Sequence, residues 1–573
     1  MTTPGAAPGS SLGSSSGSSA APAVRVGRAS AVMAIGGLAS RVLGLLRQSL
    51  IAIAIGQGLV ANAFTTANNL PNVIYLVIAG GVLNSVLIPQ LVKASRAADG
   101  GRDFTDRLIT LTMLGFAVIT VVATALAGVL VKAYAASLTG SLLELAVFFA
   151  VITLPQIFFY GMYGLLGQVL NARGQFAAFG WAPAAANLVA IVGLLGFLRL
   201  FQGHVTAAEW TPEMVWWFAG TPTLSIVVQA LILVVPLWRS GFRWRPRFGV
   251  RGVGLGATSR MAGWALASLL VAQLAFVLTS QLLWRATGSD ETHATGAQFV
   301  AGNAIWANAI LLFMVPHGLI TVSLLTAMYP RISAAVHDRD LDQLRRDYVR
   351  GLTVPAVATL PFSVAFIVFA LPIRGLLYSS RDPAEVPAAA MALAFVAMGI
   401  LPFGVETLNQ RFFYAYETGP IALGEQLIVS GTAGAISLTS LLAPPQWAAP
   451  IIGVGLVVGN IVASAFGMWR LRLRMGPYGA RGVLVTWGKI LLAAIGAGYV
   501  AWGPVVALTR ATAGWGRLGY AVTLAIAGVI FVVTDVLLAR WLRIREVDTY
   551  LGAIVAKLDR RPPGRHRGGG GPE

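Results

Sequence analysis

The feature that most constrains this chain is a series of long apolar runs, about fourteen in all, between residues 29 and 539. A helix needs about 20 predominantly apolar residues to cross the hydrocarbon of a bilayer. Each run reaches roughly that length. We therefore predict membrane spans, numbered 1 to 14 in chain order, at 29–55, 64–92, 108–131, 142–170, 180–201, 213–237, 261–284, 298–330, 351–373, 387–416, 420–442, 449–469, 483–508 and 516–539.

Composition agrees with a chain that folds in lipid. Of the 573 residues, 56% are hydrophobic and only 11% are charged, which is far less charge than soluble domains carry. Lipid offers no hydrogen bonds to open backbone, so the spans should be helical. The predicted fold class is an all-α polytopic membrane protein with about 14 transmembrane helices.

Several function classes lose support at this stage. Cysteine is absent and the five histidines have no paired spacing, so we expect no disulfide, no thiolate metal site and no catalytic metal centre. Phosphate-binding loops, nucleophile elbows and HExxH strings are absent, and we predict neither an enzyme nor a cofactor. The net charge of +19 lies between apolar runs rather than on a soluble face, which argues against nucleic acid.

The distribution of basic residues predicts the orientation of the spans. Cytoplasmic loops of membrane proteins carry an excess of Lys and Arg. In this chain the N-terminal segment, alternate loops and the C-terminal tail hold about 30 of the 41 basic residues, and the opposite loops hold about 7. Both termini are therefore predicted to be cytoplasmic, with an even number of spans between them.

A weak internal repeat predicts the domain organisation. The run NSVLIPQ at 84–90 resembles LTAMYPR at 325–331, six spans later, which predicts two six-helix lobes about a central cavity and two extra C-terminal helices. The predicted segments are a disordered cytoplasmic tail at 1–24, an N-terminal lobe at 25–238, a basic cytoplasmic linker at 239–260, a C-terminal lobe at 261–474, transmembrane helices 13 and 14 at 475–542, and a basic cytoplasmic tail at 543–573.

Polar residues within the spans are the candidate site residues, because a charge in the membrane is costly and usually serves function. Arg41 and Arg47 lie in span 1 with no acid in that span, and we expect them to border a cavity and bind a phosphate-bearing head group. The alternative is that Arg47 reaches outward to the interface and Arg41 contacts backbone carbonyls of a neighbouring helix.

Spans 2 and 8 are unusually rich in amides and contain proline, which predicts broken helices next to a cavity. Such amides either contact sugar hydroxyls or bond neighbouring helices. The predicted substrate-binding residues of the whole chain are Arg41, Arg47, Asn62, Asn68, Asn69, Tyr75, Asn308 and His317.

Acidic residues also occur within the spans, at Glu406, Glu425 and Asp535. They could take up a proton or cation during transport. The alternative, which we favour slightly, is a Glu–Arg pair that includes Arg411 and holds spans 10 and 11 together.

Short motifs along residues 29 to 540 resemble the MurJ (MviN) family of lipid II flippases in the MOP superfamily. They include SRVLGLLR at 40–47, LPN at 70–72, LNAR at 170–173 and FY at 413–414. The resemblance implies a transporter in the bacterial cytoplasmic membrane that moves lipid II from the inner to the outer leaflet by alternating access. It also implies that helices 13 and 14 form a groove for the polyprenyl tail.

The chain departs from the family pattern at several cavity positions. Asn62, Tyr75 and Leu311 stand where typical members carry charged residues. This departure, with the lysine-poor composition, suggests a divergent actinobacterial-type member. The partners implied are lipid II or a related polyprenyl-pyrophosphate glycolipid, the lipid bilayer, and cell-wall synthesis or division proteins. Two alternatives remain open: an exporter of another polyprenyl-pyrophosphate saccharide, and a non-transporting scaffold for cell-wall synthesis.

Overall fold

All regular structure in the described part of the chain is helical. The computed structural model describes residues 20–79, 102–173, 175–201, 206–241, 243–248, 260–288, 299–378, 385–544 and 546–547. The helices are α1 Ala20–Ile55, α2 Leu59–Ile78, α3 Arg102–Ala125, α4 Ala127–Tyr134, α5 Gly140–Thr153, α6 Gln156–Ala172, α7 Ala177–Leu200, α8 Pro212–Leu231, α9 Val234–Arg239, α10 Arg260–Thr287, α11 Asn303–Pro316, α12 Ser323–His337, α13 Leu341–Val368, α14 Ala370–Leu377, α15 Glu385–Ala397, α16 Ile400–Ala415, α17 Gly419–Leu438, α18 Ala448–Met475, α19 Ala480–Ala511 and α20 Arg517–Trp541.

The predicted fold class is confirmed, and the predicted number of spans is approximate. Among the described residues, 12 helices are long and apolar enough to cross a membrane, and the pair α15 and α16, bent by 42°, gives a thirteenth. Helix α2, which holds the first part of predicted span 2, is not among them, and residues 80–92 of that span lie outside the described residues. Helix α2 holds four asparagines, two threonines and one proline within residues 59–72, so its polar composition separates it from the other spans.

Prolines inside the helices are accommodated by hydroxyl groups of neighbouring helices. Pro71 cannot donate to the carbonyl of Ala67 four residues earlier, and the Thr153 hydroxyl of α5 donates to that carbonyl at 3.2 Å. Pro183 likewise leaves the carbonyl of Phe179 free, and the Tyr163 hydroxyl donates to it at 3.1 Å. In lipid such replacement bonds are needed, because water cannot supply them.

The sequence predicts a break in span 2 on account of Pro71 and the glycines at 80 and 81, and within the described residues no break occurs at Pro71. Helix α2 runs through Pro71 to Ile78 because the freed carbonyl has a new donor. The glycines at 80 and 81 lie outside the described residues. The break predicted in span 8 is wrong, because Asn303–His337 form one helix in which α11 continues into α12 through a π-helical turn at His317–Val322.

Two groups of helices pack into separate cores. In the first half of the chain α1 packs on α7, α7 on α8, and α2 on α5. In the second half α17 packs on α10 and α18, and α16 lies between α13 and α18. Glycines allow the closest approaches: a Cβ at Gly36 would lie 2.6 Å from the Gly180 carbonyl oxygen, and one at Gly459 would lie 2.7 Å from that of Val429.

Helices α19 and α20 pack on each other and on the second group. Helix α19 lies along α13, and α20 contacts α14. Their shared core includes Ala494, Ala497 and Phe531, whereas Leu492, Ile526 and other large side chains are exposed on the outside of the pair. The two helices thus add a layer outside the two groups, as predicted for spans 13 and 14.

Several predictions lie partly or wholly outside the described residues. The predicted disordered tail is described only from residue 20, where α1 already begins, and the C-terminal tail only to residue 547. Pro89, the first proline of the repeat motif, is not described, and its counterpart Pro330 lies within α12. The rotation that relates the two halves remains a prediction.

Candidate functional site

A polar cavity lies between the two groups of helices. Its volume is about 180 Å³, and its walls come from α1, α2, α7, α8 and α11. Four of the eight predicted site residues line it, namely Arg47, Asn68, Asn69 and Asn308. The other lining residues are Gln48, Ile51, Phe64, Thr65, Ala190, Leu194, Phe218, Thr221, Pro222, Ala307 and Leu311.

Arg47 supplies the positive charge of the cavity. Within the described residues no carboxylate lies within salt-bridge distance of its guanidinium, and its Nε is buried without a hydrogen-bond partner. Tyr160 of α6 is near enough to interact with it electrostatically. A cation without a protein counter-ion in a membrane-spanning helix is costly, which favours an anionic ligand as its partner.

Two consecutive residues of α2, Asn68 and Asn69, line the cavity. The Asn68 carboxamide oxygen accepts a 3.4 Å hydrogen bond from Nε2 of Gln156, and this glutamine also donates to Thr223 at 3.0 Å. Gln156 therefore fixes the orientation of Asn68 from α6. One amide of the pair is thereby ordered, and its remaining N–H groups are available for hydroxyl or phosphate oxygens.

Asn308 forms the wall on the side of the second group. It is 2% exposed, and its Nδ2 donates to Oε1 of Gln57 at 3.3 Å. Its Oδ1 is buried without a partner among the described residues. Leu311, one helical turn further along α11, also lines the cavity and is 37% exposed. The position where the family resemblance implies an arginine is thus an apolar part of the same wall.

Arg41, an exposed residue, lies close to His317 and outside the cavity that Arg47 lines. The Arg41 guanidinium lies against Gly318, where a Cβ would come within 2.7 Å of it. His317 is buried in the π-helical turn, with its ring 4.6 Å from that of Phe403. The sequence predicts that both arginines border a cavity, but only Arg47 lines this one; at six residues apart on α1 the two side chains point about 120° from each other.

Asn62 and Tyr75 have different surroundings from those predicted. The Asn62 Oδ1 accepts a 2.8 Å hydrogen bond from the backbone N–H of Ala304 in the first turn of α11. Tyr75 stacks on Tyr160, with ring centroids 5.6 Å apart. Neither lines the cavity. Asn62 satisfies an N–H that the start of a helix leaves without a partner, so we leave both residues out of the site proposed below.

Two of the three acidic residues, Glu406 and Glu425, form a cluster in the second group, and Asp535 lies on α20. Glu406 accepts from Gln410, and Glu425 accepts a 3.0 Å bond from Asn409. Arg411 lies over the Tyr329 ring at 5.7 Å instead. Within the described residues no Glu–Arg pair joins these helices, so the alternative that we favoured slightly is wrong.

Sequence reasoning missed three polar cavity residues and one buried cation. Gln48 and Thr65 are adjacent to or one turn from predicted residues on the same helices, and Thr221 precedes a proline. Helical spacing could have indicated them. Arg374 is 0% exposed although it lies in a predicted loop between spans, and no sequence signal distinguishes it from the other basic loop residues.

The arrangement can bind a polar, anionic group between the two halves. It supplies one cation, several amides and two hydroxyls. Among the described residues there is no cluster of His, Cys, Asp and Glu that could hold a metal ion. The chemistry available is therefore recognition by charge and hydrogen bonding.

Comparison with known proteins identifies the family. The sequence profile described as "Lipid II flippase MurJ" matches residues 51–514. Curated relatives include a probable lipid II flippase MurJ of Synechocystis sp., 24% identical over 473 residues, covering 80% of this chain and 84% of the relative. A lipid II flippase MurJ of Burkholderia cenocepacia is 27% identical over 387 residues, covering 66% and 71%.

Solved structures show the same fold. A lipid II flippase MurJ in an inward closed conformation matches with a TM-score of 0.67 at 16% identity, covering 89% of this chain and 99% of that one. An inward-facing MATE transporter of the MOP superfamily matches at 0.61 and 18%, covering 77% and 95%. These identities support the fold alone, whereas the sequence profile covers most of the chain. The chain belongs to the lipid II flippase MurJ family.

Proposed function

We propose that this protein moves lipid II from the inner to the outer leaflet of the bacterial cytoplasmic membrane by alternating access of the cavity between its two halves. The observation that carries the proposal, beside the family, is Arg47, a cation without a carboxylate partner that faces this cavity. Lipid II carries a pyrophosphate, which can supply the missing negative charge.

The contacts of the head group follow from the side chains. Arg47 would bind pyrophosphate oxygens, because a guanidinium matches phosphate geometry through paired N–H donors. Asn68, Asn69 and Asn308 can both donate and accept, which suits the hydroxyls and amides of an amino-sugar peptide head group. Arg41 and His317 would contact the substrate only at a different stage of its passage.

The cavity must widen to admit the head group. Pockets for drug-sized ligands are typically about 300–1,000 Å³, and this cavity is about 180 Å³. The described conformation is therefore too narrow for a disaccharide-peptide. The two halves have largely separate cores, with Trp284 and Ala304 packed into the first and Ala52 into the second, so most of their own packing is kept when they move relative to each other.

The polyprenyl tail needs an apolar path during this movement. Each buried methylene is stabilised by about 0.8 kcal/mol in an apolar environment. The outer surface of α19 and α20 carries exposed Leu491, Leu492 and Ile526, and we assign the tail to this surface. Leu524 and Ile530 of α20 are half-buried.

The topology proposal follows the basic residues. With both termini in the cytoplasm, the turn between α1 and α2 lies at the outer face of the membrane. The linker, the lobes and the C-terminal tail keep the boundaries predicted from the sequence, whereas the N-terminal tail ends before α1, which begins at Ala20. Cell-wall synthesis or division proteins are proposed partners with no contact surface assigned.

The test is replacement of the native flippase in a bacterial depletion strain. We expect the chain to restore growth and the outer-leaflet pool of lipid II, measured as lipid II accessible to an externally added lipid II-cleaving toxin. An Arg47→Met variant present at an equal level in the membrane should not. Growth without a change in the accessible pool would favour a scaffold, and failure of both would favour export of another polyprenyl-pyrophosphate saccharide.

A further inference from the structure

The turn between α1 and α2 inserts a single glutamine into the second half of the protein. Gln57 is 1% exposed. Its backbone N–H donates to Oε1 of Glu385 at 3.3 Å, and its Nε2 donates to the carbonyl of Tyr378 at 3.3 Å. Its Oε1 accepts from Nη2 of Arg374 at 2.6 Å. Every one of these partners belongs to the other half.

Gly56 gives this turn its shape. Its φ of +70° is in the left-handed region, which L side chains rarely adopt. A Cβ at Gly56 would also lie 3.4 Å from Oε1 of Glu385. The positive φ therefore favours glycine at position 56, where the backbone presents the Gln57 N–H to Glu385.

Arg374 is the buried cation of this contact. It is 0% exposed, and its guanidinium lies over the Tyr378 ring at 4.3 Å. Nε and Nη1 have no hydrogen-bond partner among the described residues, so the bond to Gln57 satisfies one of its three nitrogens. Glu385, whose Oε1 accepts from the Gln57 N–H, also interacts electrostatically with Arg374. Water that reaches this buried pair can solvate the two unpartnered nitrogens of Arg374, so opening the contact exchanges its hydrogen bonds for bonds to water.

Asn308 connects this contact to the substrate cavity. Its Nδ2 donates to the same Gln57 Oε1 that accepts from Arg374. Asn308 also lines the Arg47 cavity, and its Oδ1 has no hydrogen-bond partner among the described residues. The carboxamide oxygen of Gln57 therefore accepts hydrogen bonds from both a cavity residue and a buried cation. A ligand that draws the Asn308 amide into the cavity weakens the hydrogen bond from Asn308 to Gln57.

We propose that Gln57, held by Arg374 and Asn308, is a latch that keeps the cavity closed at the end of α1, and that ligand contact at Asn308 releases it. The inference rests on the proposed alternating access and assigns positioning roles to Gln57 and Arg374. Other polar contacts between the halves lie at the same ends of the helices, including Trp284 Nε1 to Thr66 Oγ1 at 3.0 Å. Gln57 differs from them because it is bonded to a cavity residue.

The absence of cysteine from the sequence permits a direct test. A reporter, Thr65→Cys, lies in the cavity wall. The purified full-length protein is reconstituted in proteoliposomes of both orientations and labelled with a membrane-impermeant maleimide. We expect Gln57→Leu and Arg374→Met to raise the labelling rate from the α1–α2 turn side by about tenfold, the effect of losing one to two hydrogen bonds. Labelling from the opposite side should not rise.

The control is Arg285→Met, which removes an exposed cation near the end of α10 that makes no contact with Gln57. It should leave labelling unchanged. Gln57→Asn, one methylene shorter, replaces Gln57→Leu if the latter is not recovered as a monodisperse protein. Unchanged labelling in both the Gln57 and Arg374 variants, with folded protein, would overturn the latch.

Added lipid II separates the latch from the proposed substrate. Lipid II should raise turn-side labelling in the parent protein and have little further effect in Asn308→Leu. If the latch variants raise labelling but lipid II does not, the latch stands and the substrate assignment fails. If lipid II raises labelling equally with and without Asn308, the coupling through Asn308 is refuted.

Discussion

Replacement of Arg47 should reduce transport without reducing stability. Within the described residues Arg47 has no carboxylate partner, so Arg47→Met breaks no ion pair and removes a desolvated charge, a change that is often neutral or stabilising. In the substrate complex the same change removes charge-assisted hydrogen bonds of about 1.5–3 kcal/mol each. Two such bonds to a phosphate correspond to a loss of at least about a hundredfold in apparent affinity.

The assay measures both quantities on the same protein. Lipid II binding and the accessible outer-leaflet pool report transport, and thermal unfolding in detergent reports stability. Arg47→Lys keeps the charge but loses paired donation, and we expect a loss of about tenfold. Leu311→Arg restores a cation to the same cavity wall and should recover part of the Arg47→Met defect. Full transport by Arg47→Met, or a fall in stability that accounts for the loss, would refute the reasoning.

Two further substitutions test packing against substrate contact. Gly459→Ala places a Cβ 2.7 Å from the Val429 carbonyl of α17. As a control, Gly424→Ala on α17 places a Cβ with nothing within 4 Å. We expect only Gly459→Ala to lower the unfolding temperature, by an amount equivalent to about 1–3 kcal/mol. Asn62→Leu leaves the buried Ala304 N–H unpaired and should cost about 1–3 kcal/mol of stability, with transport per folded molecule retained. Lost transport at unchanged stability would instead support Asn62 as the substrate contact first predicted.

The sequence predicts the helical class and four of the seven polar cavity residues because both follow from the cost of polar groups in lipid. Apolar length alone locates the spans. Arg47, Asn68 and Asn69 are found because an arginine or paired amides in such a span need a polar neighbour. Substrate, water and another helix meet this need equally well, so the cost of the polar group does not distinguish them.

Asn62 shows why the remaining site could not be predicted. At 100° per residue, Asn62 and Asn69 lie on nearly the same face of α2, and their side chains are identical. They differ only in position along the helix: Asn62 is at the end where α2 meets α11, and Asn69 is two turns deeper, at the cavity. That difference depends on where the two halves touch, which no periodicity within one helix encodes.

Pro71 shows the same limitation for backbone geometry. A proline frees a carbonyl in any helix, but whether the helix breaks depends on a donor from elsewhere, here Thr153, 82 positions along the chain from Pro71. In span 8 the backbone instead forms a π-helical turn directly after Pro316. Equal local sequence signals therefore lead to different structures, because tertiary partners decide the outcome.

The polar contacts between the halves suit a transporter better than an apolar interface would. Separating apolar surfaces in contact with water loses about 25 cal/mol per Å², whereas a broken hydrogen bond is replaced by one to water at a net loss of about 0.5–1.5 kcal/mol. Four bonds at Gln57 then sum to about 2–6 kcal/mol, the range in which ligand binding can shift a two-state equilibrium. Because Asn308 belongs to both the cavity and these bonds, substrate contact in the cavity acts directly on the equilibrium that opens it.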